Sequence, residues 1–402
     1  MPLNNKRIQF VVLVALSIIS YSCQSSGAES KNSNNDTIAK RDSLTLVDSL
    51  PKNNHVTGSG GYYDEVSAII SGVKQSGQLA ALHDSAVWST HRTFIDKNWT
   101  KVEKNRLIPM ANWTSKEMSA TAKSISTAFY PFSGPDFMTV NAFFPQAQKV
   151  IMLGLEPVGA LPKIDKFTKE ESIDYSENLK RSLTEIFERS YFITEYMLRD
   201  FQRQKVNGTL PVICFFMKRS GHVIDSLHYI VKTEKGELQE VAYADNVKAI
   251  GVRVTCHKEG IVKQVYYFKY DVSNQYFNDT TAFFKFVKSN IANSATYIKS
   301  ASYVLHANFM SNMKKLILAS SNVILQDDTG IPYDEISEGG GWTIKLFGEY
   351  SQPIKNFPYL RMQKSIMAAY EKDSASVPKL PFHLGYHWTT GKDVLMLATK
   401  IK

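Results

Sequence analysis

Three acidic positions in this sequence directly follow runs with strand character. Asp136 comes after residues 126–132, Glu156 after residues 149–155, and the adjacent pair Asp327 and Asp328 after residues 323–325. Strand ends feed loops, where functional side chains are often carried. If the three turns meet in space, four carboxylates converge. Mutual repulsion would then raise some of their pKa values and suit general acid work. Alternatively, their oxygens would hold a hard cation such as Ca²⁺. Lys299 and His306 lie in and just beyond the run 295–305, ahead of the helix that leads to the Asp327 turn, so either could reach the same pocket. A local reading competes with this one. Asp in Gly- and Pro-rich turns accepts backbone N–H groups, and Asp327-Asp328-Thr329-Gly330 is good turn chemistry. Lys299 would equally suit a solvated strand face.

Other chemistries find less support. Ser133 precedes Gly134, but the strand–Ser–helix elbow of Gly-x-Ser-x-Gly hydrolases is absent. The nine His include no His-Glu-x-x-His pair, and no Cys pair has zinc spacing. The acidic spacing is not that of an EF-hand. Gly339-Gly340-Gly341 lacks the Lys-Ser/Thr of a phosphate loop, so no cofactor is identified. His222, His228 and His306 fit structural roles. The aromatics between Phe129 and Phe144 could form a carbohydrate platform or a core. Cys214 and Cys256 both read as strand residues. They could pair in an oxidising compartment or remain two buried thiols.

The elements that must position these residues are mixed. Val66, Ile69, Ile70 and Val73 share a helical face, as do Trp88, Arg92, Ile95 and Trp99. A long amphipathic helix is expected over 176–204, ending at Asn207-Gly208. Period-two runs then cover 212–217, 223–231, 251–257 and 262–271, with turns at Lys235-Gly236 and Glu259-Gly260. A strand over 295–305, a helix over 309–320, and strands over 323–325, 342–350 and 393–401 complete the chain. Strands are grouped rather than strictly alternating with helices. The expected class is therefore α+β, a largely antiparallel or mixed sheet packed with helices in one compact unit.

The first 61 residues have a different character. Lys6 and Arg7 precede an apolar run from Ile8 to Ile19, which ends in Ser20-Tyr21-Ser22-Cys23. The run is far short of the roughly 20 apolar residues a membrane span needs, so it reads as a signal-peptide core. Cys23 resembles the acylated cysteine of a lipobox. The expected organisation is a lipoprotein signal peptide at 1–22, a lipidated Cys23 heading a disordered tether through 61, and a globular domain at 62–402. The tether is Ser-, Asn- and Asp-rich and cannot bury enough apolar surface to fold. The chain carries a formal net charge of +9, with its basic residues dispersed and no nucleic-acid motif. The expected partners are a membrane, reached through the N-terminal lipid, and an unidentified ligand or protein.

Tyr130-Pro-Phe-Ser-Gly-Pro-Asp136, Gly154-Leu-Glu-Pro-Val-Gly159, Tyr297-Ile-Lys-Ser-Ala-Ser-Tyr303 and Gln326-Asp-Asp-Thr-Gly-Ile-Pro332 together resemble a family of exported bacterial proteins of unknown function. The resemblance implies export and brings no catalytic role. Two functions follow. One is a membrane-tethered module of the cell envelope that binds a ligand or partner. The other is a hydrolase of glycan or ester substrates built on Asp136, Glu156, Asp327 and Asp328. Whether the domain is catalytic at all stays open at this point.

Overall fold

Ten strands among the described residues join in one sheet. They are β1 (Thr127–Tyr130), β2 (Lys149–Gly154), β3 (Val223–Lys232), β4 (Leu238–Ala242), β5 (Gly251–Lys258), β6 (Ile261–Lys269), β7 (Ser294–Ile298), β8 (Ser321–Gln326), β9 (Trp342–Gly348) and β10 (Val394–Lys400). Their order is β4-β3-β5-β6-β2-β1-β7-β8-β10-β9. The five central strands β6-β2-β1-β7-β8 are parallel, and antiparallel strands extend the sheet on both sides. This computed structural model describes residues 60–192, 206–245, 247–350, 352–354, 363–372, 376–389 and 392–401. The residues from Gly60 onward form one compact unit. The fold is α+β with a mixed sheet packed with helices, as expected. The expected signal peptide, Cys23 and most of the expected tether lie outside the described residues.

The central strands are buried on both faces, so their sequences are nearly continuously apolar. Alternation along each strand divides its side chains between two cores. Ala128, Tyr130, Val150, Met152, Ala295, Tyr297, Val323 and Leu325 face the first; Phe129, Ile151, Ile298 and Ile324 face the second. The first core is covered by α1 (Tyr62–Ser71), α2 (Ala86–Val102), α3 (Ile108–Glu117), α5 (Phe137–Phe143), α6 (Lys169–Arg189) and α7 (Leu210–Arg219). α4 (Ser119–Ser124) leads into β1. The second core is covered by α8 (Ala282–Asn290), α9 (Ser311–Ser320) and α10 (Tyr333–Ser337). α11 (Lys364–Lys372) supplies Ile366 and Tyr370 to a small third cluster with Tyr350 and Val394.

Three sequence expectations are corrected. The amphipathic helix starts earlier, at Lys169, where Thr168 and Glu171 form a reciprocal capping box. It ends at Arg189, because Ser190 adopts a left-handed conformation; residues 193–205 lie outside the described set. The run 212–217 is not a strand but part of α7, with every residue buried. A short apolar run is periodic for either element when it is buried all round. The run 295–305 leaves the sheet after Ile298. Beyond it, Ser300, Ser302 and Tyr303 all take positive φ, at 54°, 52° and 58°, which no strand tolerates.

Cys214 therefore sits on a helix and Cys256 on β5, and both thiols are free and buried. Burial pushes the Cys256 thiol up to about 12 and that of Cys214 higher still. Thiolate is the reactive form, so neither should react with a maleimide in the native protein. Both should react after unfolding without prior reduction. A thiol count that rises only after reduction would contradict the free state.

Candidate functional site

Parallel strands deliver their C-terminal ends to one edge, and the sequence-predicted residues gather there. β1 continues through α5, on the first face, to β2. β7 continues through α9, on the second face, to β8. The chain thus leaves neighbouring strands β1 and β7 towards opposite faces. In open sheets, ligands bind at such a topological switch point, outside the carboxyl ends of the strands.

Asp136 and Lys299 meet at this point. The turn after β1 places Asp136 at the N-cap of α5. There its carboxylate accepts from the Thr139 amide at 3.3 Å, the Thr139 hydroxyl at 2.6 Å and the Tyr130 hydroxyl at 3.1 Å. Lys299 is the first residue past β7, and alternation turns it to the face of Tyr297. Its ammonium lies 2.5 Å from Asp136 Oδ2 and donates to the Ser190 carbonyl at 2.6 Å. The two side chains are 2% exposed, so the solvated-face reading of Lys299 is corrected. Arg106 donates to the Ile186 carbonyl at 2.5 Å and to the Phe187 carbonyl. Burial pulls its guanidinium down to about 10, against the attraction of Asp136.

Asp327 and Asp328 form a second group at the end of β8. Asp327 accepts from the Ser300 amide at 2.8 Å, the Thr329 amide at 3.0 Å and the Thr329 hydroxyl at 2.5 Å. Burial, with repulsion from Asp328 second, raises its carboxyl to about 6. Asp328 accepts from the Tyr303 hydroxyl at 2.5 Å and lies 3.1 Å from His387 Nε2. Burial alone would lower the imidazole's pKa, but the hydrogen bond and charge of Asp328 more than offset it, and His387 is raised. Gly385 closes over this pair; a Cβ there would fall 2.5 Å from Asp327 Oδ2.

The loop after β7 links the two groups. The Tyr386 hydroxyl donates to the Ser300 carbonyl at 2.8 Å and lies 2.9 Å from Ser302 Oγ. The Ala301 amide donates to Thr329 Oγ1 at 2.7 Å. Left-handed conformations at non-glycine residues cost on the order of 1 kcal/mol or more each and persist only where surroundings over-determine them. Here the contacts of Asp327, Thr329 and Tyr386 do so. His306 follows in a short 3-10 turn, buried, its ring edge-on to Tyr303 at 5.4 Å.

Glu156 reaches the same edge in a separate setting. Its carboxylate accepts from the Leu155 amide at 3.1 Å and from the Tyr267 hydroxyl of β6 at 3.3 Å. The four carboxylates expected to converge do reach one edge, but Asp136, Glu156, Asp327 and Asp328 are each no more than 3% exposed and held by donors of the protein. Among the described residues, no group of three His, Cys, Asp or Glu is placed to hold a metal ion. Sequence reading missed Ser190, Tyr386 and His387, which come from distant segments. Tyr303 lay inside a recognised motif, but nothing local marked its hydroxyl as a partner of Asp328. No family model, no curated protein and no solved structure matches this chain.

Proposed function

We propose that this chain is an envelope lipoprotein, anchored through acylated Cys23, whose domain binds a ligand or partner at the carboxyl edge between β1 and β7. The supporting observation is the switch point itself. Two neighbouring strands send their loops to opposite faces, and a buried Asp136–Lys299 pair and a strained loop occupy the position where open sheets bind ligands. The hydrolase alternative would use Asp327 as its acid, since that carboxyl is held up to about 6. Both Asp327 oxygens, however, are engaged by the Ser300 amide and by Thr329. A carboxyl committed to three protein donors is poorly placed to protonate a substrate, so the binding reading is preferred.

The anchor is tested with Cys23→Ala. The variant should lose palmitate labelling and either leave the membrane fraction or accumulate as uncut precursor. A mature, membrane-bound variant would sink the lipoprotein reading. The edge is tested by thermal-shift measurements with envelope glycan fragments on wild type and Tyr386→Phe, which releases the Ser300 carbonyl. A fragment that raises the melting temperature of both proteins equally binds elsewhere.

A further inference from the structure

The dispersed lysines of the sequence are gathered by the fold at the edge opposite the switch point. Lys149 opens β2 and Lys400 closes the antiparallel β10, so both lie at the amino edge of the parallel strands. Lys123 stands near the end of α4, just ahead of β1, and Lys288 near the end of α8, just ahead of β7. Lys123 and Lys288 are exposed, and Lys149 and Lys400 half-buried. Lys149 donates to Asn290 Oδ1 at 2.9 Å, and Lys400 to the Ala319 carbonyl at 3.0 Å.

Acidic residues are excluded from this stretch. Segments 119–127, 144–149, 288–294, 318–321 and 398–401 contain no Asp or Glu. Glu117, upstream of Lys123, is paired with Lys345. Among the described residues, the carboxylates of this edge stand at its flanks: Asp225 with His257 and Glu259 beside Lys258 on one side, Glu338 ahead of β9 on the other. Between them, β2-β1-β7-β8-β10 present a cationic strip about 20 Å wide at about 4.8 Å per strand. Ile401, 61% exposed, lies at its end.

We infer that this strip docks on an anionic lipid surface. Lipid is favoured over a soluble anion because the charges are spread along a broad edge instead of converging on one point. That choice rests in part on the proposed anchor, since acylation at Cys23 would keep the chain at a bilayer surface. Headgroup attraction is worth about 1 kcal/mol per lysine near such a surface, or roughly fivefold in partition, and weakens with salt. Docking by this edge leaves the switch point facing away from the membrane.

The test uses the chain from residue 24 onward, without the apolar run 8–19 and without Cys23, so the surface is measured without an anchor. The probes are vesicles of phosphatidylcholine with or without phosphatidylglycerol, read by co-sedimentation. The protein should bind only the anionic vesicles and be released by high salt. Lys123→Glu/Lys288→Glu should reduce partition at least tenfold with an unchanged melting temperature. Lys232→Glu/Lys235→Glu, at the β3–β4 turn of the opposite edge, should leave it unchanged. Equal binding to both vesicle types, no binding, or equal loss in both double variants would overturn the inference. So would retention on an anionic polysaccharide without vesicle binding. Because the anchor is absent, failure here is distinct from failure of the lipoprotein reading.

Discussion

Lys299→Met should destabilise the domain by about 3–5 kcal/mol, the usual cost of leaving one member of a buried ion pair uncompensated. Asp136 would lose the ammonium 2.5 Å away and keep only Thr139 and Tyr130 as donors. The double variant Asp136→Asn/Lys299→Met should recover much of that loss, because a neutral amide can still accept from Thr139 and Tyr130. Denaturant titration of wild type, both single variants and the double variant measures the coupling as a double-mutant cycle. A Lys299→Met cost below about 1 kcal/mol, the range of exposed pairs, would show that the pair is solvated and the edge open.

Acid should weaken the fold between about pH 6.5 and pH 4. Burial lowers both His91 and His222 to about 4, whereas the unfolded chain holds a histidine near 6.5. In that window the unfolded state binds more protons, so stability falls as pH falls. Moving from pH 7 to pH 5 costs about 2 kcal/mol for each of the two. Asp327 acts in the opposite sense. Its folded carboxyl, near 6, takes up a proton before the unfolded one and returns about 1 kcal/mol over the same range. His387, raised by Asp328, also favours the folded state in acid. His91→Gln should flatten the pH dependence of stability, and Asp327→Asn should steepen it. Urea unfolding at pH 7 and pH 5 reads both. An unchanged slope in His91→Gln would mean that His91 is already protonated in the native state, with Nε2 donating to the Ile70 carbonyl 2.8 Å away.

The sequence alone determined those features that depend on short-range pattern. The apolar runs of β1 and β2, the period-two run of β3, and the amphipathic stripe of α6 are periodicities a segment carries wherever it packs. The turns holding Asp136, Asp327 and Asp328 were legible for the same reason. Asp with Gly and Pro is local chemistry, and both Asp136 and Asp327 do accept neighbouring backbone amides. α7 was misread because burial on all sides erases the difference between helix and strand periods. The left-handed Ser300, Ser302 and Tyr303 were invisible because serine and tyrosine do not signal positive φ. Their conformation is imposed by Asp327, Thr329 and Tyr386.

Only the tertiary structure decided direction and partnership. Parallel pairing of β2, β1, β7 and β8 brought their four acidic or basic ends to one edge, where an antiparallel arrangement would have divided them. The Asp136–Lys299 pair joins residues 163 apart in sequence, and His387 reaches Asp328 from beyond β9. The lysines of the amino edge follow the same rule. They are dispersed in sequence because they belong to different elements, and they meet because those elements begin or end on one side of the sheet. Long-range pairing of this kind depends on which strands lie side by side, and no local propensity encodes that.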